Sequence, residues 1–404
     1  MNKSILKHSL PSFCSSNFDV LKSIMIFAKY QNFPVLIEST SNQVNQYGGY
    51  SGLKPFQFEK KIRRLAKFIK LNNKSLMIGG DHLGPLPWKD LDEATAMKNS
   101  KKLVKDCLKA KYEKIHIDTA IICRGEKKID RHTVIQRCDE ILSVFSKKDF
   151  DNVFLVIGTE VPFAGGGHAI KSSPTTFESI KEEIDLYSTI LKKKKKFALV
   201  IEPGIGFGNF SVIQAKLKNF GKRLIFSKKN NFVYEAHSSD YQKISSLKKL
   251  VKNNFKFLKI GPELTYFYAK SIFKMEEFEK KIYKNNFSNI KNIILKEMKN
   301  NNSYWIDYYK AKKKKLDNLK FNSYLDRLRY YWSSKNILNS KKKLFININK
   351  INKKKFIRYT DFKEKDFILK EKLKLNNSEF IIYKSIEPIL KRYYSACKFK
   401  LKKI

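Results

Sequence analysis

The chain carries a series of short apolar segments, rich in β-branched and aromatic residues, that each end in polar residues. The stretches between them are long enough to hold a loop and a helix. Near-continuous apolar runs of this length are typical of parallel strands buried on both faces. The predicted strands are Leu10–Ser15, Pro34–Thr40, Ser75–His82, Lys114–Asp118, Val153–Glu160, Phe197–Gly204, Phe232–Ser239 and Phe255–Pro262.

Apolar residues recur at helical spacing between several of these strands, over Phe56–Ile69, Glu93–Ala110 and Phe177–Lys192. Alternating strands and helices predict a parallel α/β fold, either a doubly wound sheet or a (β/α)8 TIM barrel. Eight strands favour the barrel. Polar residues at the carboxyl ends of many strands also favour it, because barrel enzymes assemble their sites there. A doubly wound sheet would concentrate its chemistry at one switch point.

The sequence pattern and composition change beyond about residue 275. Strand-like segments become sparse, and Lys and Asn become frequent. Helical patterns dominate there and are clearest over Ser323–Trp332 and Ser378–Ala396. We therefore predict a barrel over residues 1–274 and a mostly helical C-terminal extension over residues 275–404.

The charge and the cysteine content of the chain indicate which binding partners and which cellular compartment to expect. The 83 Lys and Arg residues outnumber the 38 Asp and Glu residues, for a net charge of +45. A basic chain suggests nucleic-acid binding, but this excess is mainly Lys, is spread along the chain and accompanies abundant Asn, Ile, Phe and Tyr, as an AT-rich genome would encode. We expect no nucleic-acid partner, and no membrane span because no window approaches about 18 apolar residues. Five scattered cysteines without a CxxC pair favour a reduced, cytoplasmic setting.

The candidate chemistry lies at the ends of the predicted strands. Asp81 and His82, in GGDHLGP, place a potential base beside a potential metal ligand. His82, Glu202 and His237 together would form a two-histidine, one-carboxylate set suited to a divalent metal such as Zn or Mn. Glu160 ends another strand, where a carboxylate is costly to bury without a partner. We therefore count Asp81 and Glu160 as candidate catalytic residues.

Two further groups are candidates for binding substrate. His116 and Asp118 are two residues apart and share a strand face; they either face a ligand or form a hydrogen-bonded pair in the core. A glycine-rich loop after the second strand carries four amides, which would bind sugar hydroxyls or another subunit, or simply form turns. These amides are Asn42, Gln43, Asn45 and Gln46.

A set of collinear motifs carries a family resemblance: ESTSNQVNQYGGYSG, IGGDHLGPLPW, KIHIDTA, IGTEVP, EPGIGFG, YEAHSSDYQ, LKIGPELT and DRLRYYW. From about Ser12 to Ala396 the chain resembles the non-catalytic subunit family of class II D-tagatose-1,6-bisphosphate aldolases. The resemblance implies a class II aldolase-like barrel, in agreement with the strand count.

The resemblance also implies a role in tagatose 6-phosphate breakdown. A chain of this family supports the activity and stability of a catalytic class II aldolase subunit, its partner, which cleaves the phosphorylated ketose tagatose 1,6-bisphosphate. Some relatives resemble divalent-metal-dependent sugar-phosphate 4-epimerases. An epimerase or aldolase active in its own right is therefore the alternative, and whether this chain is itself an enzyme stays open.

The class II aldolase pattern implies roles for individual residues. Asp81 would match the acid/base carboxylate, and His82 and His237 would match two zinc ligands. Glu202 stands where a third histidine ligand is usual.

The chain departs from that pattern at the positions that usually bind phosphate. Ser238, Ser239 and Asp240 replace the usual Gly-Gly-Ser-Gly, and residues 261–265, GPELT, replace the usual Asn-x-Asp-Thr-Asp. Asp240 would face a substrate there and repel its phosphate.

Overall fold

A computed structural model describes residues 8–158, 173–191, 196–217 and 220–402. Eight parallel strands close into a barrel in the order β1-β10-β9-β6-β5-β4-β3-β2, and β7 and β8 form a separate antiparallel pair. This confirms the predicted TIM barrel. The strands are β1 (Leu10–Cys14), β2 (Val35–Thr40), β3 (Leu76–Leu83), β4 (Lys114–Ile117), β5 (Phe154–Ile157), β6 (Phe197–Val200), β7 (Gly206–Phe207), β8 (Val212–Ile213), β9 (Val233–Ala236) and β10 (Phe255–Ile260).

Helices connect the strands and continue beyond the barrel. Those up to β10 are α1 (Phe18–Gln31), α2 (Pro55–Phe68), α3 (Glu93–Lys109), α4 (Arg131–Leu142), α5 (Lys147–Asn152), α6 (Phe177–Ser188), α7 (Gly221–Lys229) and α8 (Ile244–Lys252). Those after β10 are α9 (Pro262–Tyr283), α10 (Ile290–Asn300), α11 (Lys313–Asn322), α12 (Lys335–Asn349), α13 (Lys353–Tyr359), α14 (Glu364–Leu373) and α15 (Asn377–Ala396). No helix in the described ranges is long and apolar enough to span a bilayer.

Several helices begin where the sequence supplies a capping side chain. Asn17, Asp92, Asp130 and Thr176 each accept a hydrogen bond from a backbone N–H of the first turn that they precede. Such bonds satisfy donors that have no partner inside the helix. The predicted helix over Ser323–Trp332 is replaced by turns and a short 3-10 helix, because Asp326 adopts a left-handed conformation with φ of 42°.

The chain divides into two compact units. The barrel unit comprises Met1–Ser16, Phe33–Gly261 and Arg392–Lys400, and the helical unit comprises Asn17–Asn32, Pro262–Lys391 and Leu401–Ile404. The change from one to the other falls between β10 and α9, whereas the division predicted from sequence, at residue 274, stays a prediction.

Within the helical unit, α1 is tied to helices that lie far along the chain. Asp19 accepts hydrogen bonds at 2.8 Å from both Tyr268 Oη and Lys341 Nζ. Lys22 Nζ and Glu379 Oε1 pair at 2.5 Å. These contacts explain why the first helix of the chain groups with the C-terminal helices.

A glycine allows the carboxyl ends of β3 and β4 to lie against each other. A Cβ at Gly84 would lie 1.6 Å from the backbone oxygen of Asp118. That distance is far inside van der Waals contact, so no side chain fits without a backbone shift. Gly84 therefore allows the ends of these two strands, which carry His82 and Asp118, to approach closely.

We expect Gly84→Ala to destabilise the chain by about 3 kcal/mol or more, since overpacking against backbone cannot be relieved by a rotamer change. Denaturant unfolding checks this. The matched control is Gly221→Ala, where an added Cβ meets no heavy atom within 4 Å. Equal stability of the two variants would contradict the close approach at Gly84.

Candidate functional site

Most strands of the barrel share one pattern on their inward face: an apolar residue lies near the start, and polar or charged residues follow at two-residue spacing toward the carboxyl end. In β4 all the inward residues are polar or charged, and in β5 and β6 they are apolar. The sets are Leu10–Ser12–Cys14, Leu36–Glu38, Met77–Gly79–Asp81, Lys114–His116–Asp118, Val233–Glu235–His237 and Phe257–Lys259. The apolar members pack together in one buried cluster, so the polar members form a separate layer beyond it.

Four side chains of this polar layer could together hold a metal ion. Asp81, His82, His116 and His237 each offer one ligand atom, and these atoms all lie within 4.8 Å of one another. All four residues are buried. The three imidazole rings meet edge to face, with centroids 4.8–5.0 Å apart. We call these four residues the histidine cluster.

Each imidazole of the histidine cluster has one nitrogen against a carboxylate. The pairs are His82 Nδ1 with Asp118 Oδ2 at 2.7 Å, His116 Nδ1 with Asp81 Oδ1 at 2.9 Å, and His237 Nε2 with Glu235 Oε1 at 3.0 Å. On the opposite side, His116 Nε2 and His237 Nδ1 are buried without a hydrogen-bond partner among the described residues. Metal-binding histidines usually show this arrangement, in which a carboxylate orients the ring and the other nitrogen binds the metal.

The protonation of two rings suits a metal. Burial lowers the pKa of His116 to about 4. Burial, reinforced by the charge of Lys259, holds the pKa of His237 well below its ordinary value. Both rings are therefore neutral at neutral pH, the form that binds metals. The residues of the histidine cluster fit a divalent cation, which would act as a Lewis acid toward a bound substrate oxygen.

Two buried lysines neutralise part of the carboxylate charge in this layer. Lys259 Nζ lies 3.0 Å from Glu235 Oε1 and also contacts Asp81 Oδ1 directly. Lys114 Nζ lies 2.5 Å from Glu38 Oε1 and 2.7 Å from Glu235 Oε2. These contacts form one continuous chain of ion pairs, which we call the barrel ion chain: Glu38, Lys114, Glu235, Lys259 and Asp81.

The barrel ion chain sets the charge state of its members. Burial opposes ionisation of Glu235, but the ammonium groups of Lys114 and Lys259 hold the pKa of Glu235 well below its usual range. Burial likewise opposes ionisation of Asp81, whose pKa is held low by His82 and Lys259. The pKa of Glu38 is raised by burial despite Lys114. Burial disfavours the charged form of Lys114 and of Lys259. The neighbouring carboxylates outweigh this effect and raise the pKa of each lysine.

The backbone is strained beside the histidine cluster. His82 has a φ of 47° and Ser238 a φ of 52°. Left-handed conformations are uncommon for residues other than glycine and collect at functional sites, where the surrounding structure holds them. The two strained residues occupy the ends of β3 and β9, next to the ligand atoms of the cluster.

The structure brings together some of the site residues predicted from sequence and not others. Asp81, His82 and His237 lie together, joined by His116 and Asp118, and the roles predicted for them stay predictions. Glu202 is not part of the group: its Oε1 accepts hydrogen bonds from the N–H groups of Gly204 at 2.8 Å and Ile205 at 3.0 Å. Glu160 lies outside the described residues.

The amides of the loop after β2 are largely used within the protein. Gln43 Oε1 accepts from Thr40 N at 2.9 Å, Asn45 Nδ2 donates to Ser41 O at 2.9 Å, and Gln46 Nε2 donates to Asn99 O at 3.1 Å. These bonds shape the loop, and the predicted contacts with sugar hydroxyls stay a prediction.

The side chains at the positions that usually bind phosphate in class II aldolases also form hydrogen bonds within the protein. Asp240 Oδ1 accepts a hydrogen bond from Gly261 N at 3.0 Å, and Ser239 Oγ donates to Lys259 O at 2.7 Å. These bonds fasten the segment after β9 to the end of β10.

Sequence analysis missed Lys114, Lys259 and Glu235 as members of the site. The signal was present in the two-residue spacing of Lys114–His116–Asp118 and of Glu235–His237, because such residues share one face of a strand. A lysine inside an apolar strand needs a buried counter-charge, and this requirement could have drawn attention to the residues opposite it.

Fold and site together define a TIM-barrel protein with a buried histidine and carboxylate centre at the carboxyl ends of its strands. The family model described as "D-tagatose-1,6-bisphosphate aldolase subunit GatZ/KbaZ-like" matches residues 1–398. The chain belongs to this family, which confirms the resemblance found in its motifs.

Individual relatives agree with this assignment. The D-tagatose-1,6-bisphosphate aldolase subunit GatZ of Escherichia coli O7:K1 is 32% identical over 357 residues, covering 83% of this chain and 84% of the relative. The GatZ subunit of Salmonella paratyphi B is 31% identical over 360 residues, covering 84% of each chain. A solved structure titled a probable tagatose 6 phosphate kinase, from Sinorhizobium meliloti 1021, superposes with a TM-score of 0.83 at 26% identity, over 96% of this chain and 100% of that one.

We expect Lys114→Met to cost about 3–5 kcal/mol of stability, because it leaves the carboxylates of Glu38 and Glu235 buried without their shared cation. Denaturant unfolding measures this. Glu38→Gln in the same background should recover part of the loss, since it removes one uncompensated charge. The control is Lys102→Met, which breaks an exposed pair with Asp106 and should change stability by at most about 1 kcal/mol. A Lys114 variant as stable as this control would rule out the barrel ion chain.

Proposed function

We propose that this chain is the supporting subunit of a class II D-tagatose-1,6-bisphosphate aldolase and acts with a separate catalytic subunit in tagatose 6-phosphate breakdown. The observation that carries the proposal is the family match across residues 1–398. The curated relatives that match it bear the name of this aldolase subunit. The phosphorylated ketose would be the substrate of the complex, and we place the complex in the cytoplasm.

The hydrogen bonds at the usual phosphate-binding positions favour the role of a supporting subunit over that of a catalytic one. Asp240 and Ser239 hold the segment after β9 to β10 through their side chains. A carboxylate at this place also repels a phosphate group. A chain that binds bisphosphate poorly would contribute to the complex mainly through its partner surface.

The histidine cluster favours a second candidate function, a metal-dependent sugar-phosphate 4-epimerase or aldolase in its own right. Asp81 would supply the carboxylate that moves a proton, since its low pKa keeps it ionised. His82 and His237 would help hold the cation. Glu160 remains a proposed catalytic contributor, whereas Glu202 accepts hydrogen bonds from its own loop and lies outside the histidine cluster.

The deciding experiment is a metal-supplemented assay of the purified chain with and without a class II tagatose-bisphosphate aldolase catalytic subunit. Tagatose 1,6-bisphosphate, tagatose 6-phosphate and fructose 6-phosphate are offered, and all products are followed. We expect no turnover by the chain alone and a severalfold rise in triose phosphate release when both subunits are present. At a hundredfold excess over the dissociation constant, the catalytic subunit should also gain about 2.7 kcal/mol of stability.

Two variants separate the candidates. His237→Ala should leave the support of the catalytic subunit largely intact if the role is accessory. His132→Ala, at an exposed histidine of α4, is the matched control. If the chain alone epimerises or cleaves a sugar phosphate, and His237→Ala abolishes this while His132→Ala does not, the accessory proposal is wrong and the second candidate holds.

A further inference from the structure

Two imidazole nitrogens in the histidine cluster are buried and unused. His116 Nε2 and His237 Nδ1 have no hydrogen-bond partner in the described part of the chain. His82 Nε2 lies 3.7 Å from Asp81 Oδ2, beyond hydrogen-bonding distance. A buried polar atom without a partner costs free energy. Two such nitrogens in a group whose ligand atoms all lie within 4.8 Å of one another call for a ligand.

We propose that His116, together with His82 and His237, supplies the three imidazoles of a divalent-metal site, with a carboxylate oxygen of Asp81 beside them. Glu202 takes no part in this site. The inference goes beyond the supporting role proposed above, because metal uptake needs neither a sugar phosphate nor a partner subunit.

The contacts of His116 define what metal binding would require of its ring. Nδ1 lies 2.9 Å from Asp81 Oδ1 and accepts a hydrogen bond from the backbone N–H of His82 at 3.2 Å. Metal binding at Nε2 would place the proton on Nδ1, which would donate it to Asp81 in place of the bond from His82 N–H. The lone pair of His116 is then on Nε2, on the side of the cluster.

The same reasoning applies to His237. Its Nε2 lies 3.0 Å from Glu235 Oε1 and 2.9 Å from Lys259 Nζ. Lys259 donates to the carboxylates of Asp81 and Glu235, and its third ammonium proton can point at His237 Nε2. Metal binding at Nδ1 would place the ring proton on Nε2, which would donate it to Glu235 while the third proton of Lys259 turns away. The Lys259 ammonium lies on the Nε2 side of the ring, away from the ligand atom.

The charge of the polar layer calls for a cation. Four carboxylates are linked through these contacts to only two ammonium groups, Lys114 and Lys259; the carboxylates are those of Glu38, Asp81, Asp118 and Glu235. Three of these carboxylates, those of Asp81, Asp118 and Glu235, contact the rings of the histidine cluster. Because buried negative charge needs compensation, this cluster is where a divalent cation would be stabilised.

The donor set indicates which metals the site would take. Three imidazole nitrogens suit zinc, cobalt and related transition metals, whereas calcium and magnesium prefer oxygen ligands. The carboxylates behind the rings would orient the ligands, as outer-shell partners do in metal sites.

The test is metal binding by the full chain after removal of metal with a chelator. Zn²⁺ and Co²⁺ are titrated separately, with metal content, the visible spectrum of Co²⁺ and the melting temperature as readouts. We expect one equivalent per chain. His116→Gln should weaken binding more than about 100-fold, above the range for an outer-shell residue. Glu202→Gln and the exposed-histidine control His132→Gln should bind like the wild type.

A measurement on the wild type keeps the proposal testable if His116→Gln does not fold. In the Co²⁺-bound chain, three exchangeable ring N–H protons should be shifted by the paramagnetic metal, one for each carboxylate-backed imidazole. Two such signals, or a loss of binding on Glu202→Gln with none on His116→Gln, would overturn the assignment. If the wild-type chain binds the metal no more tightly than a His116→Gln, His237→Gln double variant, the assignment is also overturned. Protons on the imidazoles would then compensate the carboxylate charge.

Discussion

The barrel depends on burying several ionised groups at once. A carboxylate or ammonium alone in this interior would cost several kcal/mol, and only mutual pairing offsets that cost. Each of Lys114, Glu235 and Lys259 contacts two or more opposite charges contributed by other strands. The pairs therefore exist only when β2, β3, β4, β9 and β10 are all in place, which couples closure of the barrel to assembly of its site.

Strand geometry keeps this ionic layer away from the apolar core. Side chains at two-residue spacing share a face, so the inward faces of β2 and β3 start with Leu36 and Met77 and end with Glu38 and Asp81. Glycine provides the space that the charged groups need. A Cβ at Gly79 would lie 2.7 Å from Glu38 Oε1, and the absence of that atom leaves room for the carboxylate. Packing and electrostatics therefore set the same register between neighbouring strands.

Much of this could be predicted from sequence because it is local. Apolar runs, helical spacing and polar strand ends are properties of neighbouring residues, and they predicted the barrel and placed Asp81, His82 and His237 at or near strand ends. The rest depends on partners across the barrel. Whether Glu202 turns toward the histidines or holds its own loop is decided by backbone N–H groups in three dimensions. The pairing of Lys114 with carboxylates on β2 and β9 follows from strand order and register, which local periodicity does not contain.

Stability alone does not explain the polar layer. Replacing buried ion pairs with well-packed apolar residues is often neutral or stabilising, so a barrel selected only to support a partner would do as well with an apolar interior. The chain instead holds three imidazoles oriented by carboxylates and bears left-handed strain at His82 and Ser238. At the same time, Asp240 accepts a hydrogen bond from Gly261 N, at a position where the class II aldolase resemblance implies a phosphate-binding segment. A site that favours a cation while disfavouring phosphate fits the metal site proposed above better than a site built to hold a bisphosphate.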